Sequence, residues 1–466
     1  MSESFDVVVI GGGPAGEVAA GCCAKGGLSV ALVEKERVGG ECSFWACMPS
    51  KALLRPGEVL AAAQRVPGAR RAISGTLETS AALGWRDAIV DHLDDARQAR
   101  WLEDQKISLL RGIGRLTGPR AVDVAGSDGN VRHLAARRAV ILATGSVPSV
   151  PPVAGLRESR PWSSRDATSA RAAPRRLVVL GGGAVGLELA QAFRRLGLAE
   201  VTVLEAAPRL LPNEEPFAGE SVAAAFEREG IAVRVGCRVT EVRRGAGATP
   251  VRVQLEHGTA VEADEVLVAA GRRPASGELG LETVGLTPGH AVEVDEHLRA
   301  KGVSDEWLYA VGDVNGRAAL THMGKYQGRV AAAHVLGRGN ASALALTMAA
   351  VPRVTFTDPQ VAAVGLTRAA AEQRGLTARV VQVPLESTAA ATVRGEGVAG
   401  VGCLVLDARR QVCVGATFLG PEIGELLHSA TVAIVGEVPV SRLAHAVPSF
   451  PTLSEVWLHL LEALER

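Results

Sequence analysis

The chain has 466 residues, in which Lys plus Arg and Asp plus Glu number 50 each, so the formal net charge is +0. At roughly 150 residues per domain, this length indicates about three domains. This balance argues against an affinity that rests on a basic field for DNA, RNA or an anionic membrane surface, so we expect no nucleic-acid partner. Its apolar runs are shorter than the roughly 18 residues that a transmembrane helix needs, so we expect no membrane insertion.

The N-terminus and the cysteine content indicate a cytoplasmic protein. Residues 1–6 lack the basic region of a signal peptide and lead into an apolar run, residues 7–10, that is typical of a strand. Seven cysteines in a chain of this length do not form a disulfide scaffold. We therefore expect any persistent cysteine pair to be catalytic rather than structural.

The first segment fits a dinucleotide-binding βαβ unit. After the strand come Gly11-Gly-Gly-Pro-Ala-Gly16, a helix-like stretch and a second strand that ends at Glu34. In a G-x-G-x-x-G turn the first glycine makes the tight turn and the second, Gly13, lets backbone approach a pyrophosphate. The third, Gly16, allows close packing of helix on strand, and Glu34 is placed to accept hydrogen bonds from ribose hydroxyls.

A C-x4-C segment follows, with cysteines at positions 42 and 47. Zinc sites use four ligands in recognisable pairs, and the sequence offers no second pair of that kind, so we expect no metal. Two inert buried thiols are an alternative, but the position directly after the dinucleotide unit favours a redox role. Residues five apart on a regular helix are about 7.5 Å apart along its axis, more than the roughly 4.4–6.8 Å between the Cα atoms of a disulfide. If Cys42 and Cys47 bridge, they cannot share one regular helix, and Pro49 is consistent with irregular backbone there.

The same pattern recurs later in the chain. Residues 176–180 form a strand-like run, Gly181-Gly-Gly-Ala-Val-Gly186 follows, and a second strand ends at Glu205. One G-x-G-x-x-G turn is a weak signal, but two copies with matching strands and carboxylates predict two bound dinucleotides. Proline-rich breaks at 147–153 and 271–274 indicate linkers, and the composition changes near 346–351, after which strands and two helices are expected.

Together these motifs resemble the flavoprotein disulfide reductases with a redox-active C-x4-C, such as dihydrolipoamide dehydrogenase, glutathione reductase and mercuric reductase. The resemblance covers essentially the whole chain and is greatest to the dihydrolipoamide dehydrogenase and mercuric reductase branch. The segments that carry it are 11–16, 42–51, 143–146, 181–188, 271–274 and 310–313, and residues 351–359 and 364–365 resemble the start of the family's dimerisation domain.

The resemblance implies an α/β fold and a homodimer. Two Rossmann-like dinucleotide-binding domains are followed by a C-terminal α+β dimerisation domain. The expected boundaries are 1–150 and 275–345 for a discontinuous FAD-binding domain, 151–274 for the NAD(P)-binding domain and 346–466 for the interface domain.

The resemblance also implies which residues hold the two cofactors. Those for FAD are Gly11, Gly13, Gly16, Glu34, Lys51, Gly114, Thr144, Gly145, Ser146 and Asp313. Those for the nicotinamide cofactor are Gly181, Gly183, Gly186, Glu205 and Gly271. Glu205 favours NAD over NADP because a carboxylate repels a 2′-phosphate, whereas the nearby Arg209 leaves NADP open.

The implied activity is NAD(P)H-dependent reduction of a disulfide or related acceptor. Electrons pass from NADH through FAD to the Cys42–Cys47 disulfide, after which Cys47 lies against the flavin and Cys42 faces the acceptor. Lys51, paired with Glu188, lies near the flavin N5 and stabilises negative charge.

One position departs from the family pattern. Dihydrolipoamide dehydrogenase and glutathione reductase place a proton-transferring His, oriented by a Glu, where this chain has Phe450; the Glu, Glu455, is present. His445, His459 and His322 are candidate replacements. Mercuric reductases also lack that His but carry a C-terminal cysteine pair, which this sequence lacks, so mercury is a poor candidate acceptor.

The sequence leaves the identity of the electron acceptor open. Phe44 and Trp45 lie between the two cysteines and are interpreted either as core residues or, with Phe450, as an apolar vestibule for a quinone or a bulky disulfide. The first alternative function is a flavin-only diaphorase that reduces quinones without using the cysteines. The second is a non-catalytic flavoprotein subunit of a larger complex.

Overall fold

The computed structural model describes residues 3–245, 250–338 and 348–465. These residues form two compact units. The described residues of the first unit are 3–49, 87–149 and 272–338, and the remaining described residues form the second unit. The domain boundaries expected from the sequence stay a prediction, and the one at 345–346 lies outside the described residues.

Strands β1 to β21 are distributed over both units. In chain order they are β1 (Glu3–Ile10), β2 (Val30–Glu34), β3 (Ser108–Arg111), β4 (Ile113–Gly118), β5 (Ala121–Ala125), β6 (Val131–Leu142), β7 (Ser146–Pro148), β8 (Arg176–Leu180), β9 (Glu200–Leu204), β10 (Ile231–Arg234), β11 (Val239–Arg244), β12 (Val251–Leu255), β13 (Ala260–Ala263), β14 (Glu265–Val268), β15 (Arg272–Pro274), β16 (Leu308–Ala310), β17 (Pro352–Thr355), β18 (Gln360–Gly365), β19 (Ala378–Pro384), β20 (Val401–Asp407) and β21 (Val412–Gly420).

The α-helices alternate with these strands, and short 3₁₀ turns join some of them. The helices are α1 (Pro14–Lys25), α2 (Gly40–Phe44), α3 (Cys47–Arg65), α4 (Pro67–Ala72), α5 (Thr79–Ile89), α6 (Ala96–Asp104), α7 (Ser164–Thr168), α8 (Ala184–Arg195), α9 (Pro216–Arg228), α10 (Thr321–Val335), α11 (Arg368–Gln373), α12 (Ala389–Val393), α13 (Leu427–Val435), α14 (Val440–Leu443) and α15 (Val456–Glu465).

The first unit is built on a sheet of seven strands. Its order is β3-β2-β1-β6-β5-β4, and β16 also pairs with β6. The strands β3, β2, β1, β6 and β16 are parallel, with Val8 opposite Ala31 on one side and Val140 on the other. Val7, Val8 and Val9 are completely buried, which explains the uninterrupted apolar run in β1, since a parallel strand is covered on both faces. Helix α1 crosses over from β1 to β2, as in a Rossmann-like unit, and so begins at the carboxyl end of β1.

The second unit contains a parallel and two antiparallel sheets. Strands β10-β9-β8-β14 form a parallel four-stranded sheet, with α8 as the crossover between β8 and β9. Strands β11-β12-β13 form a small antiparallel sheet, and β17-β18-β21-β20-β19 form a larger one. Helices α13 and α15 pack on the five-stranded sheet, where Phe418 and Trp457 lie in one hydrophobic core. This part is the expected α+β region.

The number of helices in the last region was predicted wrongly. The sequence led us to expect two, whereas the described residues form α11 to α15. Three of these have six residues or fewer, too short to show a helical period in the sequence. Among the described residues, none of the helices is both long and apolar enough to cross a membrane.

Candidate active site

The first glycine-rich turn connects β1 to α1 with the backbone contacts that a phosphate-binding turn needs. Gly11 has φ +108°, which a residue with a side chain rarely adopts. A Cβ atom at Gly16 would lie 1.9 Å from the Gly11 carbonyl oxygen, so the helix approaches the strand only without a side chain there. At Gly13 a Cβ atom would meet no atom of the described residues within 4 Å. The space before the helix N-terminus is therefore open for a ligand's pyrophosphate, as FAD requires.

Glu34 lies at the end of β2 and holds this turn. Its Oε2 accepts a hydrogen bond from the Gly12 N–H at 2.6 Å, and its Oε1 accepts one from the Glu36 N–H at 2.7 Å. Burial raises the pKa of Glu34, although these backbone donors favour its charged form. The predicted ribose-binding carboxylate is thus fixed beside the turn, which fits an adenosine group.

The second glycine-rich turn repeats this arrangement between β8 and α8. Gly181 has φ +117°, and a Cβ atom at Gly186 would lie 2.1 Å from the Gly181 carbonyl oxygen. Space before Gly183 is again open among the described residues. The residues in both turns therefore fit a dinucleotide.

Glu205 occupies the position in the second turn that Glu34 has in the first. Its Oε2 accepts from the Gly182 N–H at 2.5 Å and its Oε1 accepts from the Ala207 N–H at 2.6 Å. The neighbouring Arg209 donates to carbonyl oxygens in its own loop, of which that of Leu211 lies at 2.9 Å. Its guanidinium is thus engaged by the protein backbone.

Three further predicted FAD residues lie in the first unit, and two of them, Ser146 and Asp313, contact each other. The Ser146 hydroxyl donates to Asp313 Oδ2 at 2.6 Å, and Arg272 donates to the Ser146 hydroxyl at 2.8 Å. The Thr144 hydroxyl donates to the Ala275 carbonyl at 2.8 Å. This cluster joins the end of β6 to the segment that begins at β15.

The predicted glycines outside the two turns have structural roles of their own. A Cβ atom at Gly114 would lie 3.0 Å from the Ile10 side chain and 3.1 Å from that of Val33, so Gly114 allows close packing within the sheet. Gly145 and Gly271 have φ of +73° and +114°, both in the region that favours glycine. Their proximity to a cofactor stays a prediction.

The two cysteines lie on opposite sides of a break between helices. Helix α2 ends at Phe44, Trp45 has φ −135° and ψ −5°, and α3 begins at Cys47. The structure thus avoids one regular helix through both cysteines. The irregular backbone expected in this segment is present at Trp45, whereas Pro49 itself lies in the first turn of α3. Proline is tolerated there, since the N–H it lacks would have no helical partner.

The thiols of Cys42 and Cys47 share one polar environment in the first unit. Cys47 Sγ lies 3.3 Å from the hydroxyl of Thr321, the first residue of α10. The hydrogen bond to Cys47 and burial raise the pKa of the Cys42 thiol, whereas a hydrogen bond from Thr321 and the charge of Lys325 act in the opposite direction. These contacts favour chemistry at the pair rather than inert packing.

The aromatic residues between the cysteines belong to the core. Phe44 and Trp45 are 2% and 8% exposed, and their ring centroids lie 5.7 Å apart. They pack with Val90 and Leu93. This supports the interpretation of both rings as core residues. Of the three aromatic residues considered for an apolar vestibule, only Phe450 is exposed.

Lys51 and Glu188 form an ion pair in the second unit. Lys51 Nζ donates to Glu188 Oε2 at 2.6 Å, and the Glu188 side chain is only 5% exposed. Glu188 Oε1 accepts from the Phe356 N–H at 2.9 Å, and Lys51 Nζ lies 4.8 Å from the centre of the Phe356 ring. This is the pairing that the sequence resemblance implies, with Phe356 added to it.

Glu455, the acidic residue of the C-terminal segment, contacts other residues of the last region. Glu455 Oε2 accepts from the Ala389 N–H at 2.8 Å, and its Oε1 lies 3.9 Å from His459 Nε2. Phe450 is 74% exposed, and His445 is exposed as well. His322 is exposed on α10, beside Thr321.

Sequence reasoning missed Thr321, Lys325 and Phe356. Thr321 lies 274 positions from Cys47, and Phe356 lies 168 positions from Glu188. Phe356 lies in the segment 351–359 that resembles the dimerisation domain, but no sequence pattern links these three side chains to their partners, and only the fold brings them there.

Two dinucleotide-binding turns and a pair of interacting cysteines define a dinucleotide-dependent oxidoreductase of the disulfide reductase type. Comparison with known proteins agrees. Residues 5–328 match the family model for pyridine nucleotide-disulphide oxidoreductase, and residues 351–461 match that for the dimerisation domain of the same family. The chain belongs to the pyridine nucleotide-disulphide oxidoreductase family. Its cofactors are FAD and NAD(P)H, and the family's redox-active disulfide is the centre of its chemistry.

Similar proteins cover essentially the whole chain. A dihydrolipoyl dehydrogenase of Thermus scotoductus is 34% identical over 100% of this chain and 98% of its own length. A mercuric reductase of Shigella flexneri is 36% identical over 98% of this chain and 79% of its own length. Among solved structures, LpdA from Mycobacterium tuberculosis has a TM-score of 0.85 at 26% identity and covers 99% of both chains. A cysteine-to-serine mutant of the flavoprotein disulfide reductase RclA from Escherichia coli, solved as a Cu(II) complex, has a TM-score of 0.86 at 25% identity and 99% coverage of both chains.

Proposed function

We propose that this protein passes electrons from NADH through FAD to the Cys42–Cys47 pair and on to a disulfide or related acceptor. The observation that supports this best is the interaction of the two thiols with each other and with Thr321. FAD supplies the two-electron transfer between the nicotinamide and the thiol pair. Cys42 is the thiol that attacks the acceptor and Cys47 the thiol that closes the disulfide afterwards.

In this proposal the other site residues bind the two cofactors or supply a positive charge. The backbone of the first glycine-rich turn binds the FAD pyrophosphate and Glu34 its ribose; the second turn and Glu205 do the same for NADH. Arg209 is bound to its own loop, which supports NADH rather than NADPH. Lys51, held by the buried carboxylate of Glu188, places one positive charge where negative charge develops.

An anaerobic titration of the purified protein with NADH tests the proposal. Two electrons per FAD are expected to produce a long-wavelength absorbance band of a thiolate beside FAD. Simple bleaching of the flavin would favour the diaphorase alternative instead. Absence of turnover with NADH and any artificial acceptor would favour the non-catalytic subunit.

A pair of cysteine variants separates thiol chemistry from flavin-only chemistry. Cys42→Ser is expected to abolish reduction of disulfides while quinone reduction persists or rises. Cys22→Ser is the matched control, because Cys22 is also partly buried in the first unit but lies on α1. Equal loss of disulfide reduction in both variants would contradict the proposed role of Cys42.

Phe450 is expected to lower the rate of dihydrolipoamide oxidation. A phenyl ring transfers no proton, and loss of a general acid or base typically costs about 10²- to 10⁴-fold. We therefore propose that the protein is a poor dihydrolipoamide dehydrogenase. A Phe450→His variant with a large gain in dihydrolipoamide oxidation would support this, and rapid turnover by the wild type would contradict it.

We also propose a homodimer with a cytoplasmic location. The last region of the second unit exposes Val393, Val447 and Phe450 by 73%, 87% and 74%, and residues 351–461 match the family's dimerisation domain. Sedimentation analysis of the holoenzyme is expected to give twice the chain mass of 48.3 kDa, and a monomer at micromolar concentration would contradict it.

A further inference from the structure

The Lys51 ammonium group contacts a carboxylate, a hydroxyl and an aromatic ring, all in the second unit. Lys51 Nζ donates to Glu188 Oε2 at 2.6 Å and to the Ser50 hydroxyl at 3.3 Å. The centre of the Phe356 ring lies 4.8 Å from the same atom, within the roughly 6 Å over which a ring attracts a cation. The Lys51 side chain is still 36% exposed. Because water competes with an ion pair at such exposure, the carboxylate alone does not fix a flexible lysine.

Phe356 is anchored by its backbone at the end of β17. Its N–H donates to Glu188 Oε1 at 2.9 Å, and two residues further on the Asp358 N–H donates to Gln191 Oε1 at 2.7 Å. Glu188 and Gln191 both lie on α8 and are both buried, so they hold the segment from Phe356 to Asp358 in place. Phe356 itself is 38% exposed, whereas Val354 packs against the hydrophobic core of the last region. The backbone therefore directs a partly exposed ring towards Lys51.

The contacts of Phe356, Glu188 and Lys51 form a closed triangle. One oxygen of the Glu188 carboxylate accepts from the Phe356 N–H and the other accepts from Lys51 Nζ, which in turn lies beside the Phe356 ring. A Lys51 ammonium group that moved away into water would lose both the carboxylate and the ring. The ring can be removed by substitution while the N–H that binds Glu188 remains. The effect of the ring on Lys51 can therefore be measured separately from that of the ion pair.

We propose that Phe356 is a positioning residue for Lys51: its ring fixes the ammonium group beside Glu188 and so keeps the positive charge in one place. The inference rests on the role that the proposed function gives to Lys51, and it adds the residue that holds this charge. NADH gives up a hydride, two electrons with one proton, and becomes NAD⁺, which leaves one additional negative charge on FAD. A cation that is already fixed stabilises such a charge without having to move first.

The reduction potential of the bound FAD measures this effect. The potential is determined in the Cys42→Ser background, so that the thiol pair takes up no electrons, by slow enzymatic reduction against a reference dye. Phe356→Leu is expected to shift the two-electron equilibrium about three- to tenfold towards oxidised FAD, which is about 14–30 mV at about 30 mV per tenfold. Phe356→Met, a second variant without the ring, is expected to match it. Phe356→Tyr keeps the ring and is expected to retain the potential.

A double-mutant cycle shows whether the ring acts through Lys51. Lys51→Met is expected to lower the potential by itself, and Phe356→Leu added to it is expected to change nothing further. Trp85→Leu removes an exposed ring elsewhere in the second unit and is the control, with no expected change. An equal shift from Phe356→Leu with and without Lys51 would overturn the inference.

The rate of FAD reduction by NADH gives a second measurement. In stopped-flow experiments Phe356→Leu is expected to reduce the limiting rate about three- to tenfold and to leave the Kd of NADH unchanged. An unchanged potential and rate in Phe356→Leu alone would overturn the inference and leave the proposed function standing. If Lys51→Met also left both unchanged, the role that the proposed function gives to Lys51 would be refuted as well.

Discussion

Glu17 gives a direct test of the electrostatics around the first glycine-rich turn. Burial raises its pKa to about 7 from the ordinary 4.5; the charge of Lys325 opposes this rise and that of Glu34 adds to it. Between these two values the folded protein binds more protons at Glu17 than the unfolded chain does. Stability contributed by this carboxyl is therefore complete below about pH 4.5 and is lost as the pH rises through about 7. At about 1.36 kcal/mol per pKa unit, the loss amounts to about 3 kcal/mol.

A Glu17→Gln variant removes this titration. Relative to the wild type, its free energy of unfolding is expected to be about 3 kcal/mol higher at pH 8 and nearly unchanged at pH 4.5. Urea unfolding of the holoenzyme, followed by circular dichroism at both pH values, measures the difference. Glu220→Gln, on the exposed face of α9, is the control and is expected to show no such pH dependence. An equal effect of Glu17→Gln at both pH values would refute the reasoning.

Three further variants probe packing and binding. The Asp358 carboxylate lies 2.6 Å from Arg65 and 2.9 Å from Arg195, and Asp358→Asn removes its charge. The variant is expected to lower the free energy of unfolding, measured by chemical denaturation, by about 3–5 kcal/mol. A loss of less than about 1 kcal/mol would contradict a stabilising role of these ion pairs. Gly16→Ala forces a Cβ atom onto a backbone carbonyl at 1.9 Å and is expected to yield protein with little bound FAD, measured by absorbance after purification; normal FAD content would contradict the assigned turn. Phe44→Ala is expected to cost about 3–5 kcal/mol of stability, measured by urea unfolding, because the ring is 2% exposed; a neutral effect would show that the ring is not part of the core.

The dinucleotide-binding units could be predicted because their signals are local. A buried strand, a glycine-rich turn and a carboxylate follow each other within about thirty residues, and the structure shows a steric reason for the first and third glycine of each G-x-G-x-x-G turn. Even the hydrogen bonds of Glu34 and Glu205 to the turns repeat between the two copies. Local patterns therefore gave the fold class and most of the candidate cofactor residues.

The environment of the thiols could not be predicted in the same way. Thr321 and Lys325 lie on a helix far along the chain, and neither residue type indicates a contact with a cysteine. The sequence predicted irregular backbone around the two cysteines but not its position, which is Trp45. The Trp45 ring is buried with Phe44 and Val90, and such packing is a property of the whole unit rather than of neighbouring residues.

Helix α8 limits which segments of this protein can be exchanged separately with those of a relative. Glu188, Gln191 and Arg195 lie on one stripe of α8, and all three bind the short segment 356–358: Glu188 accepts from the Phe356 N–H, and Gln191 and Arg195 bind Asp358. An engineer who exchanges the nicotinamide-binding region with that of a relative therefore also changes the support of the C-terminal region. Chimeras that transfer residues 184–195 and 352–360 together keep these contacts, so the two segments are best treated as a single exchangeable part.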